Sequence, residues 1–300
     1  MNLQACLTIC SAAFLMSTCK LSTTGPDLLK EQIIEELSRQ PGSFAVAFKD
    51  LTNGNMVLIN ELESFHAAST MKTPVMIELF RQAAAGKFSL TDSLIIRNEF
   101  RSIVDSSTYH LSPDDDSELD LYKHEGEKRS ILDLMRLMIT VSSNLATNLL
   151  IEFAGPKNVN LAMQELGAKG ILVLRGVEDD KAYQRGLNNQ ITAAGLMVIY
   201  EKMAKDELIS PSTSEEMINI LLDQHFREII PAQLPSGVKV AHKTGWFKSV
   251  NHDSGIVILP DGRKYVLILL SKNIPNDKEA IKALANISGL IYKFMERVEE

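Results

Sequence analysis

Hydrophobic positions near the start of the chain follow first a helical and then a strand spacing. The segment "DLLKEQIIEELSRQPG" has apolar residues at Leu29, Ile33 and Leu37, which share one face of a helix, and it ends at a Pro-Gly pair. Two strand-like runs follow, "SFAVAFKDL" and "NMVLINE", joined by "TNG", a sequence typical of hairpin turns. This pattern predicts one helix and then a β-hairpin.

The far end of the chain repeats these elements in the opposite order. Three β-rich runs, "VKVAHKTGWF", "DSGIVILP" and "KYVLILLS", precede the amphipathic helix "NDKEAIKALANISGLIYKFMERVEE". The middle is mainly helical, with candidates in "SILDLMRLMITV", "LATNLLIEFAG", "PKNVNLAMQELGA" and "TAAGLMVIYEKMA". We therefore expect an α/β (α+β) fold, in which strands from both chain ends form one antiparallel sheet flanked by helices, with a mainly helical subdomain beside it.

The first nineteen residues differ in composition from the rest. They carry no charged side chain and contain all three cysteines, Cys6, Cys10 and Cys19, which predicts an export signal over residues 1–19. Cys19 follows small residues, where a bacterial lipoprotein is cut and lipidated, although the segment lacks an early Lys or Arg and has Thr18 at the preceding position. Plain signal cleavage and a misplaced start codon remain alternatives. We expect an exported protein of a bacterium, either periplasmic or anchored to the membrane by lipid.

The domain limits follow from these patterns. A linker is expected over 20–26, which contains a Gly-Pro break, and a folded domain over 27–300. Within that domain, 27–68 and 204–300 would form the sheet subdomain and 69–203 the helical one. The net charge of −7 argues against nucleic acid as the main partner. The acidic stretch "SPDDDSELD" lacks the spacing of a known calcium loop and is interpreted as a solvated loop. Nothing indicates more than a monomer.

Candidate chemistry begins with Ser69 and Lys72. The spacing Ser-x-x-Lys occurs three times in the chain, but only this copy opens a helix, where residues three apart share a face. The helix N-terminus favours negative charge near Ser69, and a lysine among apolar neighbours can lose its proton and act as a base. Taken alone, the pair is equally compatible with an ordinary serine beside an ordinary lysine.

Two further motifs follow in the sequence. "TVSSNLATN" places Ser142 and Asn144 between two helical runs, where they either cap a helix or present polar groups to a site. "AHKTGWF" places Lys243, Thr244 and Gly245 on a strand. The lysine and the hydroxyl would suit an anionic carboxylate, and the glycine would allow close approach. The alternative is an edge strand protected from aggregation by its charge.

The three motifs in this order resemble the serine penicillin-recognising enzymes, that is, class A β-lactamases and penicillin-binding proteins. The resemblance covers residues 27–300. It implies that Ser69 attacks a β-lactam carbonyl to form an acyl-enzyme, that Lys72 takes the serine proton, and that Ser142 protonates the leaving nitrogen. Such an enzyme requires neither a metal nor a cofactor.

The same resemblance implies the substrate contacts. Lys243 and Thr244 would hold the substrate carboxylate, and Asn144 its side-chain amide. Gly245 precedes Trp246, whose backbone N–H would form the oxyanion hole together with the N–H of the nucleophile.

The family's class A branch also carries a glutamate that activates the deacylating water. In "LRGVEDDKAYQRGLNN", Glu178 lies 36 residues after Ser142 and 65 before Lys243, close to the family spacing. Two alternatives remain: Glu178 is one acid of a solvated "EDD" cluster, or Asp179 is the base.

Four features depart from the family pattern. Ser143 stands where class A enzymes usually have aspartate, and Ala182 where they have the asparagine that helps hold the water. No arginine follows on the next strand, where His252 could only partly substitute. The stretch between the first two motifs is longer than usual, which leaves the cleft wall, including Tyr109, unpredicted. Deacylation is therefore the step in question.

The expected function is hydrolysis of the β-lactam amide bond by a class A-like serine β-lactamase. The alternative is a penicillin-binding, peptidoglycan-directed or esterase-like serine hydrolase with slow or absent β-lactam turnover, which would not need Glu178. A ligand-sensing domain is less favoured, because the sequence shows no membrane span or partner domain.

Overall fold

The computed structural model describes residues 25–297. The α-helices in this range are α1 (Gly25–Ser38), α2 (Lys72–Ala84), α3 (Ile131–Thr140), α4 (Asn144–Ala154), α5 (Pro156–Glu165), α6 (Asp180–Gln184), α7 (Ala193–Ala204), α8 (Pro211–Leu222) and α9 (Asp277–Arg297). The strands are β1 (Ser43–Asp50), β2 (Met56–Ile59), β3 (Phe65–His66), β4 (Ser93–Ile95), β5 (Phe100–Arg101), β6 (Thr108–Tyr109), β7 (Lys128–Ser130), β8 (Gln190–Ile191), β9 (Lys239–Phe247), β10 (Val250–Ile258) and β11 (Lys264–Lys272).

A five-stranded antiparallel sheet in the order β2-β1-β11-β10-β9 confirms the predicted fold class. The two chain ends meet at its centre, where β1 pairs with β11 over eight residue pairs from 43↔272 to 50↔265. Because β1 and β11 are buried on both faces, they appear in the sequence as nearly continuous apolar runs. The sheet thus joins segments more than 200 residues apart.

Side chains of β1 alternate between two separate cores. Phe44, Val46 and Phe48 pack with α1 and α9, whereas Ala45 and Ala47 face the larger core of the helical subdomain. The alanines give α7 space to lie close against the sheet. The fold therefore has helices on both faces of the sheet, with the helical subdomain attached on one side.

The observed elements extend the sequence prediction at three places. Helix α8 was not predicted, although Ser210 accepts a hydrogen bond from the backbone N–H of Thr213 and Pro211 occupies the first turn, both of which are start signals. Helix α1 begins at Gly25, two residues before the expected domain start. The short strand β3 pairs with β8 and so fixes the segment that leads into α2.

The predicted export signal over 1–19, with its lipidation site at Cys19, and most of the linker lie outside the described residues. Within residues 25–297, every helix is too short or too polar to cross a bilayer.

We predict that Leu267→Ala lowers the free energy of unfolding by about 2–5 kcal/mol, because Leu267 is fully buried on β11 and the truncation leaves a cavity. The matched control is Leu62→Ala, since Leu62 is 74% exposed and its truncation should cost no more than about 0.5 kcal/mol. Urea unfolding followed by circular dichroism compares the two variants. Equal losses of stability would contradict the assignment of β11 to the centre of the core.

Candidate active site

Ser69 lies on a short 3₁₀ turn, Ala68–Met71, that leads directly into α2. The turn is fixed on both sides: the backbone N–H of Ala67 donates to the carbonyl of Asn189 at 2.9 Å, and Thr70 Oγ1 donates to the carbonyl of Ala67 at 2.6 Å. Ala68 adopts a positive φ of 44°, a conformation that costs energy in a non-glycine residue. Ser69 lines two adjoining cavities of about 350 and 430 Å³. The fold therefore presents its hydroxyl in the cleft.

Lys72, the first residue of α2, is completely buried beside this serine. Its Nζ donates to the carbonyl oxygen of Ser142 at 2.7 Å and to Ser142 Oγ at 3.0 Å, and it lies 3.4 Å from Asn144 Oδ1. The first two sequence motifs are thus in direct contact. A solvated lysine on a helix surface would not make these hydrogen bonds. Ser142 itself has a φ of 61° in the loop between α3 and α4.

A second buried amine reaches the same hydroxyl. Lys243 Nζ on β9 donates to Ser142 Oγ at 3.1 Å and to the carbonyl of Thr244 at 2.9 Å. Ser142 Oγ therefore lies within hydrogen-bond distance of the amines of both Lys72 and Lys243. When both amines donate, the lone pairs of the oxygen are used, and its own hydrogen is left for a further acceptor.

Burial changes the protonation of these amines. Loss of hydration lowers the pKa of Lys72 to about 7, although the negative charges of Asp116 and Glu178 oppose the shift. Burial, followed by the positive charge of Lys72, also lowers the pKa of Lys243 well below its ordinary value. Lys72 can therefore gain or lose a proton near neutral pH.

Strand β9 is the edge strand beside the nucleophile turn. A Cβ atom added to Gly245 would lie 3.1 Å from the backbone nitrogen of Ser69 and 3.2 Å from Cβ of Ala68, so this close approach favours glycine. Thr244, Gly245 and Trp246 line the smaller cavity, and the Trp246 side chain is 67% exposed at its entrance. Thr244 and Gly245 therefore form the cavity wall beside the serine, while Lys243 is fully buried.

Glu178 faces the larger cavity, which it shares with Ser69. Its Oε1 accepts a hydrogen bond from Asn144 Nδ2 at 3.0 Å, and its Oε2 accepts one from the backbone N–H of Ser112 at 3.1 Å. Partial burial raises the pKa of Glu178, and the charges of nearby aspartates add to the shift. Glu178 is thus held in the site rather than solvated in an acidic cluster.

Asp179 has a different environment. Its buried carboxylate caps α6 by accepting from the backbone N–H of Ala182 at 3.1 Å, and it also accepts from Ser102 Oγ at 2.8 Å and from the backbone N–H of Ile103 at 2.9 Å. These contacts connect the loop to the neighbouring wall and leave Asp179 little capacity to act as a base. The geometry favours Glu178 over Asp179.

Ala182 and His252 are both buried. Ala182 offers no polar side chain where an asparagine was expected. His252 Nε2 donates to the carbonyl of His66 at 2.9 Å, while its Nδ1 accepts from the backbone N–H of Ser271 at 3.1 Å. Burial lowers the pKa of His252 to about 4, so the ring is neutral. His252 lines the smaller cavity, but both of its ring nitrogens are engaged and it carries no charge with which to replace an arginine.

Tyr109 contributes to the cleft wall through the loop that carries Glu178. Its hydroxyl donates to the carbonyl of Val177 at 3.4 Å and accepts from Asn148 Nδ2 at 3.3 Å. Asn148 also exchanges two hydrogen bonds with the backbone of Val177, at 2.6 and 3.1 Å. Tyr109 thus supports the glutamate loop.

The solvated-loop interpretation of "SPDDDSELD" is wrong for Asp116. This residue is only 8% exposed, because its carboxylate accepts backbone N–H groups at the start of α4. The neighbouring Asp114 and Asp115 are exposed, as expected. Charge patterning could not distinguish the three aspartates, since only the folded chain brings one of them to a helix end.

A serine on a helical turn, two buried lysines and a glutamate around one cleft are typical of serine hydrolases that use lysine where others use histidine. Comparison with family models agrees with this class. The model described as "Beta-lactamase enzyme family" matches residues 28–295. The chain belongs to the β-lactamase enzyme family, which confirms the resemblance drawn from the three motifs.

Individual relatives are distant. The extended-spectrum β-lactamase PER-1 of Pseudomonas aeruginosa is 24% identical over 283 residues, which cover 89% of this chain and 87% of that protein. A β-lactamase of Bacteroides uniformis is 27% identical over 179 residues, 55% of this chain and 60% of the relative.

Solved structures show the same fold. PBP-A, solved as a point mutant in an acyl-enzyme complex with penicillin G, is 27% identical with a TM-score of 0.78, covering 90% of this chain and 97% of that one. A β-lactamase from Sphaerobacter thermophilus DSM 20745 is 23% identical with a TM-score of 0.76, covering 90% and 96%. The second likeness concerns the fold alone.

We predict that the amine of Lys72 titrates near pH 7, against about 10.4 for lysine in a model peptide, because its surroundings disfavour the charged form. The measurement is an NMR titration of protein labelled with ¹³C at the lysine ε-carbon. Lys72→Arg, which removes one signal and retains a cation, assigns the resonance. A midpoint near 10 for the signal lost in Lys72→Arg would contradict the buried site.

Proposed function

We propose that this protein is a serine β-lactamase that hydrolyses the amide bond of β-lactams through an acyl-enzyme on Ser69. The observation that carries the proposal is the position of Glu178, whose carboxylate is held by Asn144 and Ser112 against the cavity that Ser69 lines. An enzyme that only acylates would not need such an acid. Family membership supplies the substrate class.

In the proposed acylation, Ser69 Oγ attacks the lactam carbonyl and its proton passes to neutral Lys72. Burial of Lys72 supports this role, since an amine with a pKa of about 7 is deprotonated in about half of the molecules at neutral pH, whereas an ordinary lysine is almost entirely protonated. The backbone N–H groups of Ser69 and Trp246 would bind the developing oxyanion, at about 3 kcal/mol per donor. The wall formed by Gly245 brings β9 close enough to the turn for both to contribute.

Cleavage of the lactam C–N bond requires a proton on the leaving nitrogen. Ser142 is proposed to deliver it, because its Oγ accepts from Lys72 and Lys243 and its hydrogen remains free to be donated. The proton taken by Lys72 can then replace the one that Ser142 gives up. The bond breaks, and the acyl group stays on Ser69 as an ester.

Substrate binding uses the remaining polar groups of the cleft. Lys243 and Thr244 are proposed to hold the carboxylate, and Asn144 the side-chain amide. In the free protein, Asn144 Nδ2 donates to the carbonyl of Asp115 at 3.2 Å and to Glu178 at 3.0 Å. A substrate carbonyl that accepts from Asn144 would therefore replace the longer of these bonds.

Deacylation is proposed to use Glu178 as a general base. The carboxylate removes a proton from water, the hydroxide oxygen attacks the ester carbonyl, and Ser69 leaves with a proton returned through the site. Burial raises the pKa of Glu178 and so makes its carboxylate a stronger base, while the hydrogen bonds from Ser112 and Asn144 stabilise the ionised form and oppose the shift. Release of the ring-opened acid regenerates the enzyme.

The proposal includes the sequence-based expectations on location and assembly. The enzyme would act after export, as a monomer in the periplasm or anchored by lipid on Cys19. The composition of residues 1–19 supports the location after export.

A second candidate is a penicillin-binding protein that acylates and releases slowly. Two observations favour it: the likeness to PBP-A at 27% identity, and the buried Ala182 where a water-holding asparagine was expected. In this reading, Glu178 would serve only to hold Asn144.

We predict that penicillin G adds its full mass to the protein and that Ser69→Ala prevents this addition, with kcat falling about 10³-fold or more. Intact-protein mass spectrometry over time, with substrate followed in parallel, tests both. The matched control is Ser236→Ala, since Ser236 is the exposed serine of another Ser-x-x-Lys sequence and should retain wild-type acylation. An adduct on Ser69→Ala would contradict the assignment of the nucleophile.

We predict that Glu178→Gln acylates at a rate near that of the wild type but keeps the adduct, because the amide cannot take a proton from water. The same mass measurement gives the lifetime of the adduct, and Glu215→Gln on the exposed face of α8 controls for the loss of a charge. If wild type and Glu178→Gln both keep the adduct equally long, the penicillin-binding reading replaces the β-lactamase reading.

A further inference from the structure

Asp116 occupies an unusual place at the N-terminus of α4. Its Oδ2 accepts from the backbone N–H groups of Asn144 at 2.8 Å and Leu145 at 2.9 Å, and from the Tyr122 hydroxyl at 2.9 Å. Its Oδ1 accepts from the backbone N–H of Glu118 at 3.1 Å. The Ser143 hydroxyl donates to Oδ2 as well, at 3.4 Å, so five donors on one buried carboxylate form a strong, directional anchor.

This anchor completes the capping of α4. Ser143 caps the helix through its hydroxyl, which accepts only from the backbone N–H of Ala146. The first two N–H groups of the helix, those of Asn144 and Leu145, would otherwise lack acceptors in a buried place. A carboxylate also interacts favourably with the positive end of the helix dipole. Position 143 is where related sequences usually carry an aspartate of their own.

We propose that Asp116 is a positioning residue, which supplies from a separate loop the carboxylate that Ser143 lacks and thereby holds Ser142 and Asn144 in place for acyl transfer. The inference rests on the proposed function, because it concerns the same reaction. Asp116 Oδ2 lies 3.4 Å from Ser143 Oγ, so an aspartate at position 143 would bring its carboxylate into the same space.

The strained backbone of Ser142 needs neighbouring contacts such as this anchor to keep its conformation. Ser142 holds a φ of 61° that persists only where its surroundings fix it, and it is followed after one residue by Asn144, whose backbone Asp116 binds. Without the carboxylate, the loop can relax, and Ser142 Oγ can move away from the amines of Lys72 and Lys243.

The charge of Asp116 acts on the same groups. It raises the pKa of Lys72 against the effect of burial, and it adds to the raised pKa of Glu178. The negative charge of Glu178 likewise raises the pKa of Lys72, whereas the positive charge of Lys72 lowers the pKa of its neighbour Lys243 on β9. Removal of the negative charge of Asp116 therefore lowers the pKa of both Lys72 and Glu178.

The test compares Asp116→Asn with Asp114→Asn, which removes the same charge from an exposed position in the same stretch. We expect Asp116→Asn to lower kcat/KM for penicillin G about 10- to 100-fold, the scale of one lost hydrogen bond to a charged group. We also expect the acid limb of its pH profile to move to lower pH. The ¹³C-lysine titration should show a lower midpoint for Lys72 in this variant, a readout independent of turnover. Asp114→Asn should match the wild type in all three.

Rescue separates positioning from simple stability. The double variant Asp116→Asn/Ser143→Asp should have a kcat/KM at least about tenfold higher than that of Asp116→Asn, because it returns a carboxylate to the helix end. Ser143→Asp alone should lose activity, since two carboxylates would share that space. Thermal unfolding of each variant is measured beside activity, and if Asp116→Asn does not fold, the double variant is compared directly with Ser143→Asp.

The proposal is overturned if Asp116→Asn has the same kcat/KM, pH profile and Lys72 titration as Asp114→Asn. It is also overturned if the losses of activity only follow the loss of folded protein. The third contradicting result is a double variant whose kcat/KM is no higher than that of the worse single variant. A wild-type protein that neither acylates nor hydrolyses penicillin G would instead refute the proposed function. In that case the Lys72 titration still decides whether Asp116 acts on this site.

Discussion

The convergence of two buried lysine amines on one serine hydroxyl is the constraint on which the site depends. Lys72 comes from the first turn of α2 and Lys243 from the edge strand β9, so Ser142 connects the helical subdomain to the sheet. Burying an amine is costly unless its hydrogens find acceptors or its charge is lost. The carbonyl of Ser142, the carbonyl of Thr244 and nearby carboxylates meet this requirement. A displacement of either subdomain would break the arrangement.

Three of the eight non-glycine residues with positive φ in the described part of the chain lie at the proposed reactive groups. Ala68, Ser142 and Glu178 have φ values of 44°, 61° and 60°, and each is at or next to a group proposed to act on substrate. Such conformations cost about 1–3 kcal/mol each and persist only when neighbouring contacts fix them. Those contacts are hydrogen bonds with elements outside the strained segments, for example the two between Asn148 on α4 and the backbone of Val177, next to Glu178. The rest of the fold therefore supports geometry that these loops would not keep alone.

Much of the fold and part of the site could be predicted from the sequence, because the signals are local. The periodicity of β1 and β11 indicates buried strands, and Ser69 and Lys72 share a helical turn whatever lies around them. The partners of His252 could not be predicted, since they depend on which residues the sheet register and the nucleophile turn bring beside its ring. The burial of Asp116 could not be predicted from the sequence either, because this aspartate differs from its neighbours only through a contact made across the fold.

The segment from Ser112 to Asp116 contacts the site at two of the four places where the sequence departs from the family pattern. Ser112 donates its backbone N–H to Glu178, whose loop has Ala182 in place of a water-holding asparagine. Asp116 supplies a carboxylate to α4, whose N-cap is Ser143 in place of an aspartate. Between them, the carbonyl of Asp115 accepts from Asn144. A single loop thus contacts the groups proposed for acylation and those proposed for deacylation. Glu178 and the N-terminus of α4 are therefore coupled through one loop, so a change in its conformation would displace both together.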